Sequence, residues 1–212
     1  QLQIRNGKTA EVNFGLINYG FISGRVFNDL YLENKHEETY PGLSGVRILL
    51  TSEENRTEPP LSAETDGSGR YEFGKLSPGR YKVQFDSNTL PPSFRLPSET
   101  EWTFEVRPLR GTYFDIPLAA QRRITGFVFR DKDGDDSFDP NVDEPLENVR
   151  VTAGKVEAIT GKDGAYILRN LPAGKIEVRV YENTNEPNTT LIVELNEEPG
   201  LKRGVNIKLP AK

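Results

Sequence analysis

The chain repeats itself, and that repeat limits the fold more than any other feature. Ile22-Ser23-Gly24-Arg25-Val26-Phe27-Asn28-Asp29 returns about a hundred residues later as Ile124-Thr125-Gly126-Phe127-Val128-Phe129-Arg130-Asp131. Thr65-Asp66-Gly67-Ser68-Gly69-Arg70-Tyr71-Glu72-Phe73 corresponds to Thr160-Gly161-Lys162-Asp163-Gly164-Ala165-Tyr166-Ile167-Leu168. The turn Leu76-Ser77-Pro78-Gly79-Arg80-Tyr81 corresponds to Leu171-Pro172-Ala173-Gly174-Lys175-Ile176, and Tyr113–Leu118 to Gly204–Leu209. Matched blocks in one order point to two homologous domains, and 212 residues hold two of ordinary size. The expected division is 21–119 and 120–212. Residues 1–20 are read as the final strand or linker of a preceding domain, because Glu11-Val12-Asn13-Phe14-Gly15-Leu16 stands before Ile22 as Phe114–Leu118 stands before Ile124. A chain that has no methionine and opens mid-pattern at Gln1 is read as part of something longer.

Within each copy the apolar period is two. Tyr71 and Phe73, then Tyr81, Val83 and Phe85, then Val205, Ile207 and Leu209 alternate with polar residues, as half-buried strands do. Asp-Gly, Pro-Gly and Ala-Gly turns separate them, and no segment sustains a helical period. The expected fold is all-β, two tandem β-sandwiches of about seven strands each. The connection Ala119-Ala120-Gln121-Arg122-Arg123 is too short for a flexible spacer, so the domains are expected to stack end to end as a rod.

The most chemically loaded stretch is Asp131-Lys132-Asp133-Gly134-Asp135-Asp136-Ser137-Phe138-Asp139, continuing to Asp143-Glu144-Pro145. Five aspartates within nine residues repel one another unless a cation lies among them. Alternate oxygens around a tight glycine turn suit calcium, a hard cation with flexible geometry, and the spacing matches the first half of an EF-hand loop without its helices. The expected ligands are Asp131, Asp133, Asp135, the Ser137 carbonyl and Asp139, with Glu144 closing the site. A solvated acidic turn is the alternative. The loop of the first copy, Asn28-Asp29-Leu30-Tyr31-Leu32-Glu33, puts leucine and tyrosine where oxygens would be needed, so no strong metal site is expected there. Because the acidic loop follows the first strand of its domain, it is expected near the interdomain junction, where a metal would stiffen the hinge.

Composition excludes several classes. A net charge of -5 and a pI near 5.2 argue against a nucleic-acid surface. No apolar run reaches the length of a membrane span. Without cysteine there is no disulfide framework, thiolate zinc site or cysteine nucleophile. The single histidine, His36, lies in a charged loop, which leaves no oriented base for hydrolase chemistry. Catalysis is not expected. Trp102, in an alternating strand, is read as a packing residue, with a sugar platform of Tyr31, Tyr40 and Trp102 as the sharper alternative.

The order Gly-x-Val-Phe, Asp-rich loop closed by Glu-Pro, Gly-Val-x-Val, Thr-Asp-x-x-Gly-x-Tyr-x-Phe and Leu-x-Pro-Gly-x-Tyr resembles the B-type domains of serine–aspartate repeat adhesins. These are akin to collagen-adhesin B domains and carboxypeptidase regulatory-like domains. The resemblance implies a seven-stranded prealbumin-like, or inverse immunoglobulin, sandwich, and calcium in the loop after the first strand of the second copy. It implies a stalk or spacer of a bacterial cell-surface or secreted protein, with a periplasmic home as the alternative. The family's short Asp-x-Gly-Glu-Pro is lengthened here to Asp139-Pro140-Asn141-Val142-Asp143-Glu144-Pro145. Some relatives carry a lysine–asparagine isopeptide bond, but the first strands here offer Arg25 and Arg130, and Asn206 alternates with core residues. The expected partners are neighbouring repeats of the same polypeptide and a host or cell-surface ligand bound elsewhere in the parent, with no nucleic acid and no membrane insertion. A monomer is expected. The alternatives are a carbohydrate- or peptide-binding module, and accessory domains of an enzyme or outer-membrane assembly protein.

Overall fold

The computed structural model describes residues 18–33, 38–55, 57–91 and 93–210. The Glu11–Leu16 stretch and His36 lie outside them. The first half of the chain forms β1 (Gly20–Asn28), β2 (Arg47–Ser52), β3 (Leu61–Glu64), β4 (Arg70–Leu76), β5 (Gly79–Phe85), β6 (Phe94–Arg95), β7 (Glu101–Val106), β8 (Gly111–Tyr113) and β9 (Ile116–Ala120). The second half forms β10 (Arg122–Arg130), β11 (Glu144–Pro145), β12 (Arg150–Ala153), β13 (Val156–Ile159), β14 (Ala165–Arg169), β15 (Gly174–Tyr181), β16 (Thr189–Leu195), β17 (Gly200–Lys202) and β18 (Ile207–Lys208). The one helical turn among the described residues is a 3-10 turn at Ser87–Thr89, so no helix there is long and apolar enough to cross a membrane.

The strands sort into two sandwiches. In the first unit, β4-β1-β9-β6, with β8 also on β1, faces β3-β2-β5-β7. In the second, β11-β10-β14, with β17 and β18 on β10, faces β13-β12-β15-β16. Each unit has its own core: Ile22, Val26, Ile48, Leu50, Tyr71 and Val83 in one, Ile124, Val128, Val151, Leu168, Val178 and Val180 in the other. The inward residues are those the two-residue period singles out, because a pleated strand sends alternate side chains to one face. Nine segments per unit reduce to seven principal strands. The last strand is broken in two (β8 and β9, β17 and β18), and β6 and β11 are two-residue additions.

At the break in the last strand the two units share one contact. The Phe114 carbonyl comes so close to Gly24 that a Cβ there would lie 1.8 Å from its oxygen. The same atom would lie 1.9 Å from the Val205 oxygen at Gly126. Only glycine fits. These carbonyls accept the hydroxyls of Tyr71 (2.6 Å) and Tyr166 (2.7 Å), and burial pushes both phenols above their ordinary pKa. Buried Thr65 and Thr160 do similar work one turn away. Each hydroxyl accepts a backbone N–H, from Val46 or Val149, and donates to a carbonyl, of Leu43 or Leu146. The repeated Gly, Thr and Tyr of the motifs are therefore joints between strands.

A single residue, Gln121, separates β9 from β10. β1 runs parallel to β9 and β10 parallel to β18, so each unit receives the chain at one end and releases it at the other. This corrects the expected position of the acidic loop. It follows β10 at the end away from the junction, roughly 26 Å along the nine-residue strand. The loop at the junction is its counterpart in the first unit, which begins at Asp29.

Candidate metal centre

The acidic loop is a chain of side-chain-to-backbone turns, the ordinary local chemistry of aspartate. Asp131 accepts the Gly134 N–H (2.7 Å) on one oxygen and the Asp136 N–H (3.1 Å) on the other. Asp133 accepts from Asp135 N (3.3 Å), Asp135 from Ser137 N (2.8 Å), and Asp139 from Asn141 N (2.8 Å). Gly134 (φ 81°) and Asp136 (φ 63°) take the left-handed conformation that folds the run back on itself. Phe138 anchors the loop to the sandwich, stacked on Phe127 at 4.6 Å between centroids and tilted on Phe129 at 5.2 Å.

Asp143 closes the loop. It is 6% exposed, and its two oxygens accept the N–H groups of Lys132 (3.0 Å) and Asp139 (2.8 Å), so one carboxylate ties both ends together. Asp131, Asp133 and Asp143 each present an oxygen within 4.8 Å of the others, the one such grouping among the described residues. Desolvation pushes Asp133 above its ordinary value, and the charges of Asp135 and Asp143 add to it. Desolvation acts upward on Asp131 as well, but the Gly134 and Asp136 amides and the Lys208 ammonium hold its carboxyl below the usual value. Lys208, on β18, pairs with Asp131 at 3.3 Å and also with Asp136.

Of the residues expected to bind metal, the structure brings Asp131 and Asp133 together. Asp135 and Ser137 are exposed, and Asp139 is half-buried beside Asn141. Glu144 is directed elsewhere. Its β11 register places it opposite Arg130, where it pairs with Lys132 at 2.8 Å and Arg130 at 3.6 Å, and the Lys132 contact holds its carboxyl below the ordinary range. Asp143, and not Glu144, presents an oxygen within reach of Asp131 and Asp133. Two basic residues at the mouth of the loop were the signal that Glu144 would be claimed.

Of the three rings of the sugar-platform alternative, Tyr31 and Tyr40 meet edge to face at 5.9 Å, and Trp102 packs apart from them. Trp102 packs on the first core against Phe85 and Phe114, whereas Tyr40 is buried with Phe27, Leu30 and Ala173. Asn206, the isopeptide candidate, is exposed, and its side-chain oxygen accepts the Phe127 N–H (3.2 Å).

Residues 20–100 match the SdrD B-like domain family. The chain is 30% identical over 142 residues to serine-aspartate repeat-containing protein D of Staphylococcus aureus (strain Newman), an alignment covering 67% of this chain and 9% of that protein. It is 25% identical over 183 residues to Colossin-A of Dictyostelium discoideum, covering 77% of this chain and 2% of the relative. It thus spans less than a tenth of the length of these relatives. Among solved structures, the Bacillus anthracis TIE protein is 16% identical with a TM-score of 0.44, covering 90% of this chain and 34% of that one. By the family match residues 20–100 form an SdrD B-like domain, and the likeness to serine-aspartate repeat-containing protein D extends over 67% of this chain.

Proposed function

We propose that the two sandwiches are structural modules of a bacterial cell-surface or secreted protein, spacing or presenting a functional part elsewhere in the polypeptide. We further propose that the acidic loop of the second unit holds one calcium ion through Asp131, Asp133 and Asp143. In this reading the chain is not an enzyme and acts as a monomer. The architecture and the serine-aspartate repeat relatives support the mechanical role, since the units join through one residue and have separate cores.

The convergence of three carboxylates on one loop, of which Asp131 alone is shown paired with Lys208, carries the calcium reading. The donor set fits: all ligands are hard oxygens, and calcium takes six to eight of them in adaptable geometry. Asp135, the Ser137 carbonyl and Asp139 lie on the same loop and could offer further oxygens, with water. Desolvation, with the charges of Asp135 and Asp143, raises Asp133, and a bound cation opposes both. Its role here is rigidity, fixing a thirteen-residue connection between β10 and β11.

Thermal melting with calcium and with chelator tests the site. Binding to the folded state alone stabilises by about 2.7 kcal/mol at a hundredfold excess over Kd. The shift should vanish in Asp133→Ala/Asp143→Ala. Equal melting temperatures for the unaltered protein in calcium and in chelator would reject the ion and leave the spacer reading in place.

A further inference from the structure

The loop that follows β1 occupies the same place in its unit as the acidic loop, yet its residues do different work. Leu30 is 5% exposed and its carbonyl accepts the Ala173 N–H of the second unit at 2.7 Å. Phe27, Leu30 and Tyr40 close over Ala173 in a small apolar cluster of their own. Beside it, Asn28 donates its side-chain N–H to the Glu197 carbonyl across the junction at 2.9 Å. Arg122, the first residue of β10, is 1% exposed. Its Nε donates to the Asn196 carbonyl at 2.8 Å, and its terminal nitrogen to the Glu197 carbonyl and to Asn28 Oδ1 at 3.4 Å. Burial opposes the Arg122 charge, while Glu197, Glu198 and Asp29 around it favour it.

We infer that this loop is a clasp that fixes the second unit on the first without a metal. The position after the first strand thus carries two alternative devices, an apolar and amide clasp in one unit and a carboxylate loop in the other. Leu30 and Tyr31 stand where the second unit has Lys132 and Asp133, so the loss of oxygens from the first loop is a gain of interface. Arg122 is peculiar to this junction. Its repeat partner is Gly20, where a Cβ would lie 2.6 Å from Val106 Cγ1 and from the Arg107 oxygen, so the first unit has no room for such a side chain.

The chain lacks cysteine, so two introduced ones can be spin-labelled without ambiguity. Ser62→Cys and Lys162→Cys are both exposed, one in each unit. Pulsed electron–electron distance measurements on the full chain should give one narrow distribution that is the same in calcium and in chelator. Leu30→Ser and, separately, Arg122→Gln should broaden it severalfold. Leu30→Ser alters only the first unit's loop, so it remains informative if Arg122→Gln fails to fold. Circular dichroism confirms that each variant measured is folded. A distribution that stays narrow in a folded Leu30→Ser protein overturns the clasp, and one that narrows only with calcium shows that the metal sets the junction. Neither outcome touches the calcium site, which is read separately by melting.

Discussion

Asp143 and Glu144 are neighbours with the same chemistry, and the fold separates their roles. Asp143 faces inward and caps two amides, while Glu144 pairs with Arg130 across the short β11 ladder. Asp143→Ala should therefore destabilise the second unit even without calcium, by about 1 to 3 kcal/mol, because two amides lose their acceptor. Glu144→Gln should leave calcium affinity within a small factor of the original, as read by titration calorimetry. Lys208→Gln should tighten calcium binding, since it removes a positive charge from Asp131 and Asp136. The alternating aspartates were legible in the sequence because a loop turning on glycine has a fixed short-range spacing. The closing carboxylate was not, because the choice between 143 and 144 depends on a strand register set by residues far along the chain.

At the level of the strands, the glycine–tyrosine joints govern whether each sandwich closes. Gly126→Ala puts a methyl group into the Val205 carbonyl, and should cost the second unit about 3 kcal/mol or more in urea unfolding, in the upper range of single substitutions. Tyr166→Phe deletes the donor to that carbonyl and should cost about 1 to 2 kcal/mol. The same phenols give a pH signature. Their folded pKa lies above the unfolded value of 10.0, so they hold the proton more tightly when folded. Their contribution is complete below pH 10 and is lost as the pH rises above it. Tyr166→Phe should flatten the alkaline loss of stability of the second unit, followed by circular dichroism from pH 9 upward. Strand positions and the seven-strand plan could be read from period and turns. The split final strand could not, because the glycine that admits its close-lying carbonyl is on a different strand.

At the scale of the molecule, two separate cores predict two calorimetric transitions. Calcium should raise only the one belonging to residues 122–208, and leave the other unchanged to within about a degree. The tandem arrangement was visible from the repeat alone. The end of the unit on which the acidic loop sits was not, since strand direction relative to the junction follows from the parallel pairing of β10 with β18.

That pairing also decides how the molecule bears a pull. The first and last strands of each unit lie side by side and parallel, with the chain entering at one end and leaving at the other. Tension applied along the polypeptide drags the two strands past each other lengthwise. The bonds of β1 to β8 and β9, and of β10 to β17 and β18, are then loaded in shear and must give way together. A hairpin peeled from its open end surrenders them one at a time.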